Sequence, residues 1–345
     1  MKLFIFGSTG DLVKRKVIPA FIKLKLNDLQ IIALGRKDFT NETYENFICG
    51  DKCFKNFKNK PIYHKIEFNG EIICKKCDEL LDKSGNNFFY IAMPPNFIER
   101  VLIYLGKIKE RGFKIKILIE KPFGENLGNA KNLKNMIIKK NLNEDIFISD
   151  HYLFKEEVVG LKKMDFKHIK IVSLEEVGLE NRIYYDEVGT LNDMIQSHFL
   201  NIVFKLLKNP RKEFSDFEVL EYIRKQYGNG KDSGYVKELG KKSNTETFVK
   251  VKLKTKNKEF EFITGKRFDK KIGFIEVNGK RISLESFKDP YAHLFLDFFS
   301  QYRKKFTTLN NSLLAWEIIE RIESKKQKLE HYPEGASSEK TAKTS

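Results

Sequence analysis

Nowhere in the 345 residues is there a run of the ~18 to 20 apolar residues that a membrane helix requires, which excludes a spanning helix. The short apolar run Leu3 to Phe6 breaks at Gly7 and is too brief for a secretory leader. Cysteine is reduced to four residues, too few for a stapled scaffold in a chain of this length, and reducing cytosol is the expected compartment. No internal repeat is visible. Acidic residues are outnumbered, 47 Asp+Glu against 64 Lys+Arg, and the net charge of +17 favours anionic partners. Phosphorylated metabolites, nucleotides and nucleic acid all qualify on charge. Because the charge is spread along the chain without an aromatic-interleaved basic motif, no nucleic-acid partner is expected.

What is present is ample apolar material. Hydrophobic residues make up 41% and aromatics 13%, including 30 Phe, enough for two cores in a chain about twice the usual ~150 residues of a domain. The runs 2–6, 30–34, 88–93, 114–120 and 146–148 read as buried parallel strands separated by amphipathic segments such as 14–26 and 96–109. This rhythm predicts an α/β Rossmann-like dinucleotide-binding domain over 1–155. Beyond it, 247–254 alternates Val249, Val251 and Leu253 with Lys250, Lys252 and Lys254. With 259–264, 272–277 and the Asn278-Gly279 turn into 281–284, that alternation predicts an antiparallel sheet solvated on one face. Helices at 188–207, 291–306 and 312–329 are expected to cover the other face. Together they make an α+β domain over 156–335. The glycine-rich stretch 227–240 reads as a mobile loop, the last helix should stop before Pro333, and 336–345 reads as a polar, frayed tail.

Gly7-Ser8-Thr9-Gly10-Asp11-Leu12, continued by Val13 and Lys14, joins a strand to a helix. Its glycines allow close backbone approach while the helix start offers N–H groups to a phosphate. The spacing is G-x-x-G, and a plain strand-to-helix turn is the alternative. At the end of the second strand, where an acid would bind the ribose hydroxyls of NAD, stand Gly35-Arg36-Lys37. A guanidinium there suits the 2′-phosphate of NADP, with a solvated basic turn as the other reading and NAD as a weaker alternative cofactor because Asp38 follows.

GSTGDLVKRK at 7–16, Tyr90-Ile91-Ala92-Met93-Pro94-Pro95, Glu120-Lys121-Pro122-Phe123-Gly124 and Asp150-His151-Tyr152-Leu153-Phe154-Lys155-Glu156 form a series. It continues through Glu175-x-x-Gly178, Arg182-x-Tyr184-Tyr185-Asp186, Asp193-Met194-x-Gln196-x-His198, Gln226-Tyr227-Gly228, Ser243-x-Thr245-Glu246-Thr247-Phe248 and Thr264-Gly265-Lys266. In this order the motifs resemble the glucose-6-phosphate dehydrogenase family, collinearly from residue 1 to about 335. The resemblance implies oxidation of D-glucose 6-phosphate to the 6-phospholactone with hydride passing to NADP. Residue by residue, His198 matches the base, Asp150 its carboxylate partner, and His151, Tyr152 and Lys155 the phosphate-binding positions. Glu175 and Asp193 match acids that accept from sugar hydroxyls, Lys121 the lysine between sugar and nicotinamide, and Lys266 and Lys271 two basic positions of the substrate pocket. A dehydrogenase of another sugar phosphate or of free glucose, and an inactive basic binding protein, are the alternatives.

This chain departs from the family pattern at Ile148, Ser149, Phe154, Ile263 and Ser197, and it is shorter, chiefly between Val277 and Asp289. The shortening implies a reduced antiparallel sheet. Because that sheet carries the family's dimer contact, a homo-oligomer is left open. The spacings Cys49-x3-Cys53 and Cys74-x2-Cys77 resemble a zinc ribbon. The family has no metal there, so small buried hydrophobes are the expected reading and no metal is assigned, with a metal or a disulfide at Cys49, Cys53, Cys74 and Cys77 as the alternative.

Overall fold

The computed structural model describes residues 1–50, 54–55, 57–67, 70–72, 74–180, 182–284 and 289–343. Two units emerge, Met1–Phe154 with Asp289–Leu309, and Lys155–Lys288 with Asn310–Ser345.

In the first unit, strands β1 (Lys2–Phe6), β2 (Gln30–Gly35), β3 (Ile62–Lys65), β4 (Asn87–Ile91), β5 (Ile115–Ile119) and β6 (Ile146–Ile148) form one sheet in the order β3-β2-β1-β4-β5-β6. Every pairing is parallel. A parallel sheet is covered on both faces, which is why β1, β4 and β5 read as near-continuous apolar runs. The helix Asn41–Cys49 starts at Thr40, whose hydroxyl accepts from Thr43 N at 3.1 Å while Thr43 Oγ1 accepts from Thr40 N. The segment Asp289–Leu309, expected in the second domain, belongs here because of its phenylalanines. On the helix Pro290–Phe299, Phe295 meets Phe21 at 4.7 Å and Tyr90 at 5.2 Å, and Phe298 meets Phe88 at 5.3 Å and Phe147 at 5.2 Å. Edge-to-face rings at these separations add to the area they bury. The expected helix 291–306 ends at Phe299 and packs into the first unit's core.

The second unit holds β7 (His168–Leu174), β8 (Phe217–Tyr227), β9 (Phe248–Thr255), β10 (Glu259–Gly265), β11 (Ile272–Val277), β12 (Lys280–Ser283) and β13 (Glu330–Tyr332). Their order is β12-β11-β7-β10-β9-β8-β13. Antiparallel pairs predominate, but β7 with β10 and β8 with β13 run parallel. Lys250, expected on a solvated face, is buried at 7% exposure. Lys170 (7%) and Glu261 (3%) are buried beside it, and the run Lys170–Glu261 (3.1 Å), Glu261–Lys250 (3.8 Å), Lys250–Glu221 (3.1 Å) crosses four strands. Toward the other end the same sheet carries an apolar cluster of Val172, Ile263, Phe274, Phe248 and Tyr227, closed over by Tyr235, Phe268 and Ala342.

Other expectations are corrected as well. The stretch 227–240 contains the helix Tyr235–Leu239, and Asn229 Oδ1 accepts from Lys231, Asp232 and Ser233 N, so the glycine-rich turn is held by its own hydrogen bonds. The last long helix is Leu309–Glu323, and before Pro333 the chain becomes β13. The tail is docked, with Ser338 and Ala342 buried in the helix Ser338–Lys343. Cys74 and Cys77 form a disulfide, Cys49 ends the helix Asn41–Cys49, and Cys53 lies outside the described residues. Among the described residues, no helix is long and apolar enough to cross a membrane.

Candidate active site

In the first unit the loop after β1 is drawn over the sheet end by Gly7 N and Ser8 N, both donating to Leu34 O at 3.0 Å, and is closed by Gly10 N on Gly7 O at 3.0 Å. Gly7 has φ +80°, and a Cβ there would sit 2.2 Å from Ala92 O, so only glycine fits. A side chain at Gly35 would come within 2.8 Å of Tyr63 Oη and 3.1 Å of Thr9 Cγ2. The first backward bond of the following helix is Lys14 N to Gly10 O at 3.2 Å. N–H groups ahead of such a bond have no acceptor within the helix, and their donor set fits a phosphate. A dinucleotide phosphate would therefore meet the helix start at Asp11 to Val13, with Lys14 beside it, while Gly7, Ser8 and Gly10 shape the turn through their own hydrogen bonds. Arg36 lies over the Phe97 ring at 5.6 Å, and Lys14 and Lys37 lie over Phe47 at 5.0 and 4.9 Å. Asp38, the acid nearest this edge in sequence, is engaged by Lys65 at 2.7 Å.

At the adjoining strand ends, Tyr90 donates to Glu120 Oε1 at 2.7 Å. Burial pushes the Glu120 carboxyl above its ordinary range, and burial, with the Glu120 charge beside it, holds the Tyr90 phenol well above its own. This pair anchors the strand end from which half-buried Lys121 departs. Asp150 is fully buried, and its Oδ1 accepts from Tyr152 N at 3.0 Å. His151 stacks on Tyr291 at 5.5 Å. Phe154, where the family has glycine, packs on Phe306 at 5.0 Å, so the substitution is absorbed into the core.

The second unit begins at Lys155, the residue capping the helix Glu156–Val159, whose Nζ donates to Leu284 O at 3.1 Å. Expected in one domain with His151 and Tyr152, Lys155 falls in the other unit, because a turn at 151–154 ends before its own helix begins. Lys266 is buried and pairs with Glu175 at 2.5 Å while lying 5.0 Å over the Tyr185 ring. Burial, then the Asp193 charge, holds the Tyr185 phenol well above its ordinary value, so Asp193 shares this corner. Lys271 is exposed, and its N–H donates to Glu176 Oε1 at 3.0 Å.

His198 is buried at 1% exposure. The expected helix 188–207 is broken at Gly189, where φ is +71°, and continues as a π-helical stretch, Leu191–Phe199, before Leu200–Leu206. π-Helical turns are frequent at functional sites. Ser197, at the family's Asn position, donates to Asn192 O at 2.9 Å and so serves the helix itself. Residues with no expected role prove to build this segment. Glu246 Oε1 accepts from Leu191 N at 3.1 Å, its Oε2 takes Arg224 at 3.0 Å, and it fills the space beside Gly189. The only sequence signal for it was its place in the motif 243–248, since the partners lie 22 and 55 residues away.

Residues 4–159 match the family described as glucose-6-phosphate dehydrogenase, NAD binding domain, and residues 161–221 its C-terminal domain. A glucose-6-phosphate 1-dehydrogenase of Buchnera aphidicola subsp. Schizaphis graminum is 30% identical over 351 residues, covering 83% of this chain and 72% of that one. Among solved structures, glucose-6-phosphate 1-dehydrogenase from Mycobacterium avium has a TM-score of 0.78 at 20% identity, covering 97% of this chain and 94% of that one. A glucose-6-phosphate dehydrogenase in complex with its substrate glucose-6-phosphate has a TM-score of 0.76 at 19% identity, covering 98% and 95%. At these identities the structural likeness is one of fold.

Proposed function

Because the chain belongs to the glucose-6-phosphate dehydrogenase family, we propose that it oxidises D-glucose 6-phosphate to 6-phospho-D-glucono-1,5-lactone, with NADP as the hydride acceptor. Family membership over most of the chain carries this reading. When bound, the nicotinamide supplies the site to which the C1 hydride passes. His198 takes the proton of the anomeric hydroxyl, a task suited to an imidazole near neutral pH, and Asp150 is the carboxylate assigned to steady it. His151, Tyr152 and Lys155 are assigned to the sugar phosphate, where charge-assisted donors are needed. Glu175 and Asp193 accept from sugar hydroxyls, and Lys121, Lys266 and Lys271 complete the basic lining. The Lys266–Glu175 pair beside Tyr185 supports this assignment, because a buried ammonium and a half-buried carboxylate at 2.5 Å offer donor and acceptor side by side to a polyhydroxylated ligand.

NADP preference rests on Arg36 with Asp38 engaged elsewhere, since a carboxylate facing the ribose would repel a 2′-phosphate. We extend the same reading to residence in the cytoplasm, where phosphorylated sugars and NADP are found, and to a homo-oligomer, which sedimentation at several concentrations would test. The experiment for the activity is spectrophotometric reduction of NADP and of NAD with glucose 6-phosphate, other sugar phosphates and free glucose. Turnover should require the phosphorylated glucose and be fastest with NADP. Equal turnover with free glucose would move the substrate assignment.

A further inference from the structure

Lys266 and Lys271 stand at the two ends of one loop, and the backbone between them is hydrogen-bonded at every residue. Toward the body of the unit, Lys266 N donates to Thr247 O at 3.0 Å, Arg267 N to Val177 O at 3.2 Å, Phe268 N to Glu175 O at 3.0 Å and Lys271 N to Glu176 Oε1 at 3.0 Å. The remaining bonds come from the end of the chain. Tyr332 Oη donates to Lys266 O at 2.5 Å, Gly335 N to Arg267 O at 2.7 Å, and Asp269 N to Ala336 O at 3.0 Å. Ser338 is wholly buried. Its N–H donates to Asp269 Oδ1 at 2.8 Å, and its hydroxyl lies 2.5 Å from that oxygen and 2.6 Å from Lys270 O while accepting from Lys270 N at 3.3 Å.

The arrangement has a geometric reason. Arg267 sits at φ +57°, a conformation that a side chain other than glycine adopts reluctantly and that persists only where surroundings impose it. Body contacts alone leave Asp269 and Lys270 with no backbone anchor among the bonds named above, and those two residues set the direction in which Lys271 leaves the loop. The tail supplies that anchor. A basic side chain must be aimed to within a fraction of an ångström to contribute to a phosphate or hydroxyl contact, so the hold on the backbone is a hold on ligand affinity.

We propose that the C-terminal segment 332–339 is a positioning element of the substrate pocket, with Ser338 and Tyr332 as its two positioning residues, acting through Lys266 and Lys271 on the affinity for the sugar phosphate. This rests on the reading of those two lysines as substrate-binding. Steady-state kinetics on Ser338→Ala, Tyr332→Phe, Ser337→Ala, Lys266→Ala and the parent chain, with thermal unfolding of each, test it. Ser337 is a control within the tail, its hydroxyl accepting from Lys340 N at 3.4 Å. Ser338→Ala and Tyr332→Phe are each expected to raise KM for glucose 6-phosphate about 5-fold or more, with kcat and KM for NADP held within about 2-fold and Ser337→Ala unchanged. If Lys266→Ala raises KM but neither tail variant does, or if the tail variants lower the unfolding temperature with KM unmoved, the tail is structural packing and the proposal fails. If Lys266→Ala also leaves KM unmoved, the assignment of the pocket itself is wrong.

Discussion

The two sheets solve burial in opposite ways. The first is parallel throughout and held by aliphatic and aromatic packing, with Phe4 and Phe89 stacked at 4.8 Å and the ring layer of Pro290–Phe299 against it. Its candidate cofactor charges, Arg36 and Lys37, stand in the loop that follows β2. The second sheet buries charge in its own strands, with Lys170, Glu261 and Lys250 each under 10% exposed. Charges withdrawn from water persist only when paired, so every member of that run depends on its neighbours. The first unit can thus change its ligand chemistry in loops without touching its core, whereas in the second, packing and charge are the same residues.

The sharpest way to break that contrast is Glu261→Ala, which leaves Lys170 and Lys250 buried beside a missing partner and should cost ~3–5 kcal/mol of stability. Denaturant unfolding measures it, and a cost below about 1 kcal/mol would mean that the face is wetter than its exposure indicates. Next is Arg36→Ala, expected to weaken NADP by ~1.5–3 kcal/mol and NAD far less, with the denaturation midpoint unmoved. Equal losses for both cofactors would make Arg36 a fold or adenine contact. Lys155→Ala should raise KM for glucose 6-phosphate by a factor equivalent to ~1.5–3 kcal/mol, though part of that is offset because its Nζ already donates to Leu284 O. The smallest expected effect is Thr40→Ala, removing one helix cap in the first unit at ~1 kcal/mol, read from the same unfolding curves with activity retained.

The same contrast explains what the sequence alone could reveal. Strands β1, β2, β4, β5 and β6 were legible because both faces are apolar, whereas β3, with His64 and Lys65 in only four residues, carried too little signal. β7 and β8 escaped notice for another reason. β8 has a bulge between Val219 and Glu221 that shifts its period, and β7 carries Lys170, a charge that is buried only because Glu261 of another strand pairs with it. The second unit's helix coverage was misjudged because Pro290–Phe299 follows its phenylalanines to the other core. At the site, motif order named His198, Glu175 and Lys266. The work of Glu246 on Leu191 N and of Ser338 on Lys270 was invisible, since those partners are 55 and 68 residues away and no local pattern links them.

Hydride transfer from glucose 6-phosphate with His198 as the base is the proposal on which the other site assignments depend. Turnover of NADP with glucose 6-phosphate, measured on the parent chain and on His198→Asn, tests it most directly, with sugar-phosphate binding followed separately by calorimetry. The parent should reduce NADP, and the variant should lose about 10²-fold or more in kcat, equivalent to ~2.7 kcal/mol of barrier, while binding the sugar phosphate nearly as before. Turnover within a few-fold of the parent would remove His198 from the chemistry, and no NADP reduction by the folded parent would contradict the function itself.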